Sequence, residues 1–199
     1  MSDIVLAIDT GAPRLQLALL SAGGSDVLVE DMAQGQAERL MPAIAELLGR
    51  NGLTYRHLTR IAVTTGPGSF TGLRIGLSAA RGLGLALDVP VVGVPSLLAL
   101  SLAAKGPVAV LVDARRGEAY VQRFSAPGIA ETEALVVPME VAEDLAAGLP
   151  REPGPFCDIA AVARFAAAVD PGAFPPEALY VRGADAKPQE KFRVARVEG

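Results

Sequence analysis

The chain has 199 residues, is 51% hydrophobic and 20% charged, and carries a formal net charge of -4. That is enough apolar material for one large core or for two small cores sharing an interface. The acidic balance argues against a protein that grips a nucleic-acid backbone by itself, because such binding needs dense Lys and Arg contacts to phosphate. The single cysteine, Cys157, excludes an internal disulfide and a cysteine-rich metal site, and its apolar neighbours read as a packed thiol.

The longest uncharged apolar stretch, Val89 to Ala104, is shorter than the ~20 residues of a spanning helix and is broken by Pro90 and Pro95. No membrane association is expected. Asp3 precedes an apolar run that stops at Asp9, which is neither the basic start nor the cleavable end of a secretory signal, so a cytoplasmic location is expected. The basic tail, with Lys187, Lys191, Arg193 and Arg196, reads either as solvated chain or as a contact for a partner or RNA.

Ile4 to Asp9 reads as a buried strand, turned at Gly11, Ala12 and Pro13 into a second strand from Leu15 to Leu20. Gly23-Gly24-Ser25 turns it again into a third strand from Asp26 to Met32. Leu40, Ile44, Leu47 and Leu48 then recur at helical spacing, which predicts an amphipathic helix from Gln36 to Arg50 stopped by Asn51-Gly52. Ala37, Met41 and Ala45 form a second apolar stripe on it, so part of this helix is expected to face a partner. Ile61 to Thr65 is a strand. A glycine-rich loop leads into a helix from about Leu73 to Leu87, capped by Ser69 or Thr71. A strand from Val91 to Val94 and a helix from Ser96, taken as its cap, to about Lys105 complete this half.

At Val108 the pattern starts again, with a strand to Asp113, a turn at Ala114 to Gly117, a strand to Phe124, a strand near Ala134 to Val137 and a helix near Met139 to Ala147. The division is therefore 1–105 and 106–199, an internal duplication in which VLAID and AVLVD each close an apolar strand on an aspartate. The second unit is abbreviated: Gly148 to Pro155 shows no strand pattern, and a helix from Asp158 to Val169 follows directly. Leu179 to Arg182 reads as a late short strand or a tail contact. Two such α/β units side by side resemble the actin-like, sugar-kinase and Hsp70 ATPase fold, which is ribonuclease H-like.

Asp9 and Asp113 stand where kinases of that fold place carboxylates that hold hydrated magnesium or orient a nucleophile. Two readings stand: a convergent pair facing a cleft, or two side chains that each close their own hairpin turn. The stretch GPGSFTGLRIG is the strongest local signal. Gly66 and Gly68 permit positive φ and the amides at the helix start suit an anion, yet a tight strand-to-helix junction explains them equally. No Lys-Ser or Lys-Thr pair follows at P-loop spacing.

GPGSFTGLRIGLSAARGLGLAL, Arg39-Leu40-Met41-Pro42, the opening VLAIDT, Val92-Gly93-Val94-Pro95-Ser96-Leu97 and DARRGEAY occur here in the order and spacing of the TsaB (YeaZ) family. Tyr180-Val181-Arg182 resembles the family's late Tyr-Leu-Arg element. The resemblance is firm from Ile4 to Tyr120. It implies an actin-like pseudo-enzyme without catalytic residues that pairs with its catalytic relative TsaD and the ATPase TsaE. That complex transfers a threonylcarbamoyl group to the adenosine beside the tRNA anticodon, with tRNA reached indirectly through the complex. It further implies that the first two helices bind TsaD, or a second copy as a homodimer in isolation.

The partner face expected from the resemblance comprises Arg39, Leu40, Ala43, Leu47, Phe70, Arg74, Leu77, Ser78 and Arg81. A vestigial nucleotide site would comprise Asp9, Thr10, Gly66, Gly68, Ser69 and Asp113. No cofactor is required, with room left for weak ATP or ADP binding. Gln36 stands where the family often has histidine, and Gly11 where it usually has a hydroxyl. The competing readings are an ATP-dependent small-molecule kinase, which needs Asp9, Asp113 and intact phosphate turns, and an M22-like metallopeptidase, which needs a helical histidine pair. His57 is the single histidine and sits in a surface turn.

Overall fold

The computed structural model describes residues 3–151, 154–179 and 181, and shows an α/β protein built on two sheets. In the first, β1 (Val5–Ala12), β2 (Arg14–Ser21) and β3 (Gly24–Asp31) form an antiparallel meander. Parallel strands β4 (Arg60–Thr64) and β5 (Val91–Val94) join its other side, giving the order β3-β2-β1-β4-β5. The central strand β1 is covered on both faces, which is why Val5, Leu6, Ala7 and Ile8 are apolar without alternation.

α1 (Gln36–Arg50) and α2 (Phe70–Leu87) cover one face of this sheet. Leu40, Ile44, Leu47 and Leu48 are all buried against residues such as Leu6, Ile8 and Leu17, so the whole first stripe of α1 faces the core. The second stripe, Ala37, Met41 and Ala45, points to solvent. Of the expected partner face, Leu40, Ala43, Leu47 and Leu77 are buried within the chain itself. α2 begins one turn earlier than expected, with Ser69 as its cap.

α3 (Ser96–Ser101) follows Pro95, which takes the cap position, so Ser96 is the first helical residue and not the cap. The helix also ends short of Lys105. The second sheet comprises β6 (Val108–Arg115), β7 (Glu118–Ala126), β8 (Ile129–Ala130) and β9 (Leu135–Pro138), followed by α4 (Met139–Leu145). β8 and β9 both pair with β7, so the third strand of this unit is broken in two. Where the first sheet places parallel β4 beside β1, β6 has, among the described residues, a single parallel bridge, Ala109 to Arg151, beside a 2.9 Å bond from the Ala109 amide to the Pro150 carbonyl.

α5 (Ile159–Ala168) returns from the second segment to the first sheet and packs on the face opposite α1 and α2, across β2, β1 and β4. Asp158 caps its N-terminus, accepting the Ala160 and Ala161 amides at 3.0 and 3.1 Å. At its other end, Arg60 of β4 donates to the carbonyls of Ala166 and Val169, supplying donors that the last helical turn lacks. The core beneath α5 runs from Val5 and Ala7 through α3 to Val108, Val110 and Phe124, and so joins the two sheets. Leu179 donates its amide to the Thr65 carbonyl at 2.8 Å outside any strand, and Tyr180 and Arg182 of the expected late element lie outside the described residues.

Candidate functional site

A cleft lies between the two sheets, and a groove lies between α1 and α2. The cleft has a volume of about 480 Å³ and is lined by both Asp9 and Asp113. Asp9 is buried at the point where β1 gives way to its turn. Its Oδ1 accepts the Thr64 hydroxyl at 2.7 Å and the Gly11 amide at 3.0 Å, and its Oδ2 accepts Gln16 Nε2 at 3.0 Å and the Cys157 thiol at 3.7 Å. Exposed Asp113 accepts the Arg115 amide at 2.7 Å, where Arg115 and Arg116 both take positive φ. Both earlier readings therefore hold in part: the aspartates face one cleft, and each closes its own turn with its side chain.

Cys157 is packed as expected, but against polar neighbours as well as apolar ones. Burial, and then the adjoining Asp9 carboxylate, push its thiol well above the usual range, so it stays protonated. The remaining walls of the cleft are largely apolar, with Pro13, Pro67, Leu100 and Leu111 prominent, and among the described residues no Lys, Arg or His lines them.

The glycine-rich stretch proves to be a close junction. The Ser69 amide donates to the Gly11 carbonyl at 2.7 Å, and the Gly72 amide to the Ser69 hydroxyl at 3.3 Å. Thr10, buried, donates its hydroxyl to the Gly72 carbonyl at 2.7 Å. A Cβ on Gly72 would stand 1.9 Å from the Thr10 carbonyl oxygen, and one on Gly68 2.7 Å from that of Gly11. Gly66 does adopt positive φ, at 105°, whereas Gly68 does not and is needed for clearance instead. Asp9, Thr10, Gly66, Gly68, Ser69 and Asp113 are thus brought together, but the Gly11, Ser69 and Gly72 amides are turned into the protein's own bonds and Pro13 has no N–H. The residues present do not fit a phosphate cradle.

Gln36, whose structural role the sequence reading missed, holds this junction from the other side. It is buried, and its Nε2 donates to the carbonyls of Ala12 at 3.0 Å and Arg14 at 3.2 Å, stapling the start of α1 to the β1–β2 turn. A polar residue opening an otherwise apolar core stripe was the available signal. His57 sits on the exposed surface, where Nδ1 accepts the Thr54 amide at 2.9 Å in a short 3-10 turn.

The groove between α1 and α2 measures about 500 Å³ and is formed by Ala37 and Met41 on one side and Phe70, Arg74, Ile75 and Ser78 on the other, with Leu40 at its floor. Met41 is 42% exposed and Phe70 53%. The Arg74 guanidinium lies 3.8 Å from the centre of the Phe70 ring, a stacked pair on the rim. Arg39 sits outside the groove, clamped to Glu30 by three bonds and to Glu46 at 2.8 Å. The clamp holds the Glu30 carboxyl below its ordinary range. Of the expected partner residues, Phe70, Arg74, Ser78 and Arg81 stand on the accessible side of α2; Ala37, Met41 and Ile75 belong with them.

Residues 22–132, more than half of the chain, match the family model described as TsaD, tRNA N6-adenosine threonylcarbamoyltransferase. An Escherichia coli protein named tRNA threonylcarbamoyladenosine biosynthesis protein TsaB is 34% identical over 149 residues, covering 70% of this chain and 64% of that protein. YeaZ from Pseudomonas aeruginosa superposes with a TM-score of 0.72 at 26% identity, covering 89% of this chain and 99% of the solved one. The chain belongs to the TsaB/YeaZ family. An uncharacterized Mycobacterium tuberculosis protein is 41% identical over 123 residues, covering 60% of this chain and 58% of that relative. The chain thus matches less than two thirds of the length of these curated relatives. Within this TsaB/YeaZ member, the segment matched by the family model contains α1, α2 and Asp113 but not Asp9. Among the described residues no helix is long and apolar enough to cross a membrane.

Proposed function

We propose that this TsaB/YeaZ chain is a non-catalytic subunit of a cytoplasmic system that installs threonylcarbamoyladenosine in tRNA. It acts by binding TsaD, together with TsaE, and reaches tRNA through the complex. The observation that carries this reading is the α1–α2 groove, whose open apolar lining of Met41, Phe70 and Ile75 lies on the two helices that the family resemblance assigns to partner binding. Exposed aromatic and thioether side chains flanked by arginine are the composition of a partner anchor. The same face would pair with a second copy when TsaD is absent.

Support also comes from the cleft. A kinase of this fold needs free amides to cradle phosphate, and here those of Gly11, Ser69 and Gly72 are engaged internally. The groove, not the cleft, is then the working surface.

The test is reconstitution with TsaD, TsaE and the threonylcarbamoyl-adenylate synthase of the same organism, with each component omitted in turn. Loss of tRNA modification on omission of this chain, together with co-elution of the chain with TsaD, is the expected result. Undiminished modification without it, and no complex, would overturn the reading.

A further inference from the structure

Arg74, Ser78 and Arg81 stand at positions i, i+4 and i+7 of α2, which places them on one stripe with the two arginine backbones about 10 Å apart along the helix axis. They border a depression of about 450 Å³ whose other walls are Leu77 and Ala178. It adjoins the apolar groove, because Arg74 and Ser78 line both.

Two cations on one helical stripe border the same depression. Arg14, Arg39, Arg50, Arg123, Arg151 and Arg164 each carry a carboxylate partner from within the chain. Arg74 and Arg81 have none among the described residues, and α2 contains no Asp or Glu between Phe70 and Leu87. In a chain of net charge -4, two exposed cations left facing one depression form an arrangement complementary to negative charge from outside.

We propose that Arg74, Ser78 and Arg81 form an anion subsite that receives a carboxylate-bearing segment of the protein partner, beside the apolar anchor in the groove. The inference rests on the partner-binding reading of α1 and α2. A planar guanidinium presents paired donors that match a carboxylate, and the Ser78 hydroxyl supplies a third donor between the two arginines. Protein carboxylate is favoured over an RNA backbone because phosphate tracking needs a longer run of cations than this stripe supplies, and because the depression opens onto an apolar groove.

The experiment is calorimetric titration of the full chain with TsaD of the same organism, comparing wild type with Arg81→Glu, Arg81→Lys and the double variant Arg74→Gln/Arg81→Gln at low and high salt. Circular dichroism confirms that each variant is folded. Wild type should bind, Arg81→Glu should weaken binding about tenfold or more, and Arg81→Lys should stay within about threefold. The double variant should lose most of the salt dependence that wild type shows. Wild-type binding with unchanged affinity in Arg81→Glu would overturn the subsite while leaving the subunit reading in place. No binding by wild type would overturn both. If wild type binds tRNA alone and Arg81→Glu abolishes only that, the subsite serves phosphate and the carboxylate assignment is wrong.

Discussion

The hydroxyl of Thr10 donates to the carbonyl of Gly72, 2.7 Å away and 62 residues later, and so joins the first turn of the chain to the start of α2. That bond requires the two backbones to approach so closely that no side chain fits between them. It fixes one end of the helix that carries Phe70, Arg74 and Arg81, and it therefore links packing at the cleft to presentation of the groove.

Replacing Gly72 by alanine should be among the most damaging single-methyl changes in the molecule. The added Cβ would meet the Thr10 carbonyl oxygen at 1.9 Å, so α2 must move away from the β1–β2 turn. A loss of about 3 kcal/mol is expected, the upper end of what overpacking costs. Urea denaturation checks it, with Gly82→Ala as the control, since a Cβ there meets nothing within 4 Å. Equal midpoints for the two variants would mean that the junction is not tight.

Cys157 should make stability fall on the alkaline side. Its folded-state pKa lies above the ordinary value of 9.0, so below that pH the thiol is protonated in both states and its contribution is intact. Above it, the unfolded chain releases a proton that the folded chain retains, and unfolding becomes progressively easier as pH rises toward the folded value. The drop in denaturation midpoint from neutral to alkaline pH should be smaller in Cys157→Ala than in wild type. The native thiol should also resist a thiol reagent until denaturant is added. Rapid labelling of native protein would show that the side chain is accessible.

The two strands that end near Asp9 and Asp113 were legible in the sequence, and so was α1 with its limits, because each rests on local periodicity. What the sequence could not supply is which surface a stripe faces. Leu40, Ala43 and Leu47 are as apolar as any anchor, and only the sheet beneath them settles that they are core. The same holds for α5, whose alanine-rich run announces burial but not that it crosses back to β1 and β2. Cys157 and Asp9 meet across 148 residues, a contact that no spacing rule reaches. In the glycine-rich stretch, loop and junction share one composition, and the difference lies in the direction of the Gly11 and Ser69 bonds.

Mg-ATP should have little effect on the isolated chain. With the Gly11, Ser69 and Gly72 amides engaged, millimolar nucleotide is expected to raise the melting temperature by less than about 1 °C. Differential scanning fluorimetry is sufficient, and a rise of several degrees would restore the nucleotide reading of the cleft.

One reconstituted tRNA modification assay with two kinds of variant separates a working α1–α2 groove from a working cleft. Met41→Glu and Phe70→Glu place charge in the exposed groove, while Asp113→Asn preserves the turn-closing acceptor and removes the cleft's exposed charge. The groove variants should lose TsaD co-elution and reduce modification more than about tenfold, and Asp113→Asn should stay within about twofold of wild type. Full activity in the groove variants together with loss in Asp113→Asn would make the cleft, not the groove, the working surface.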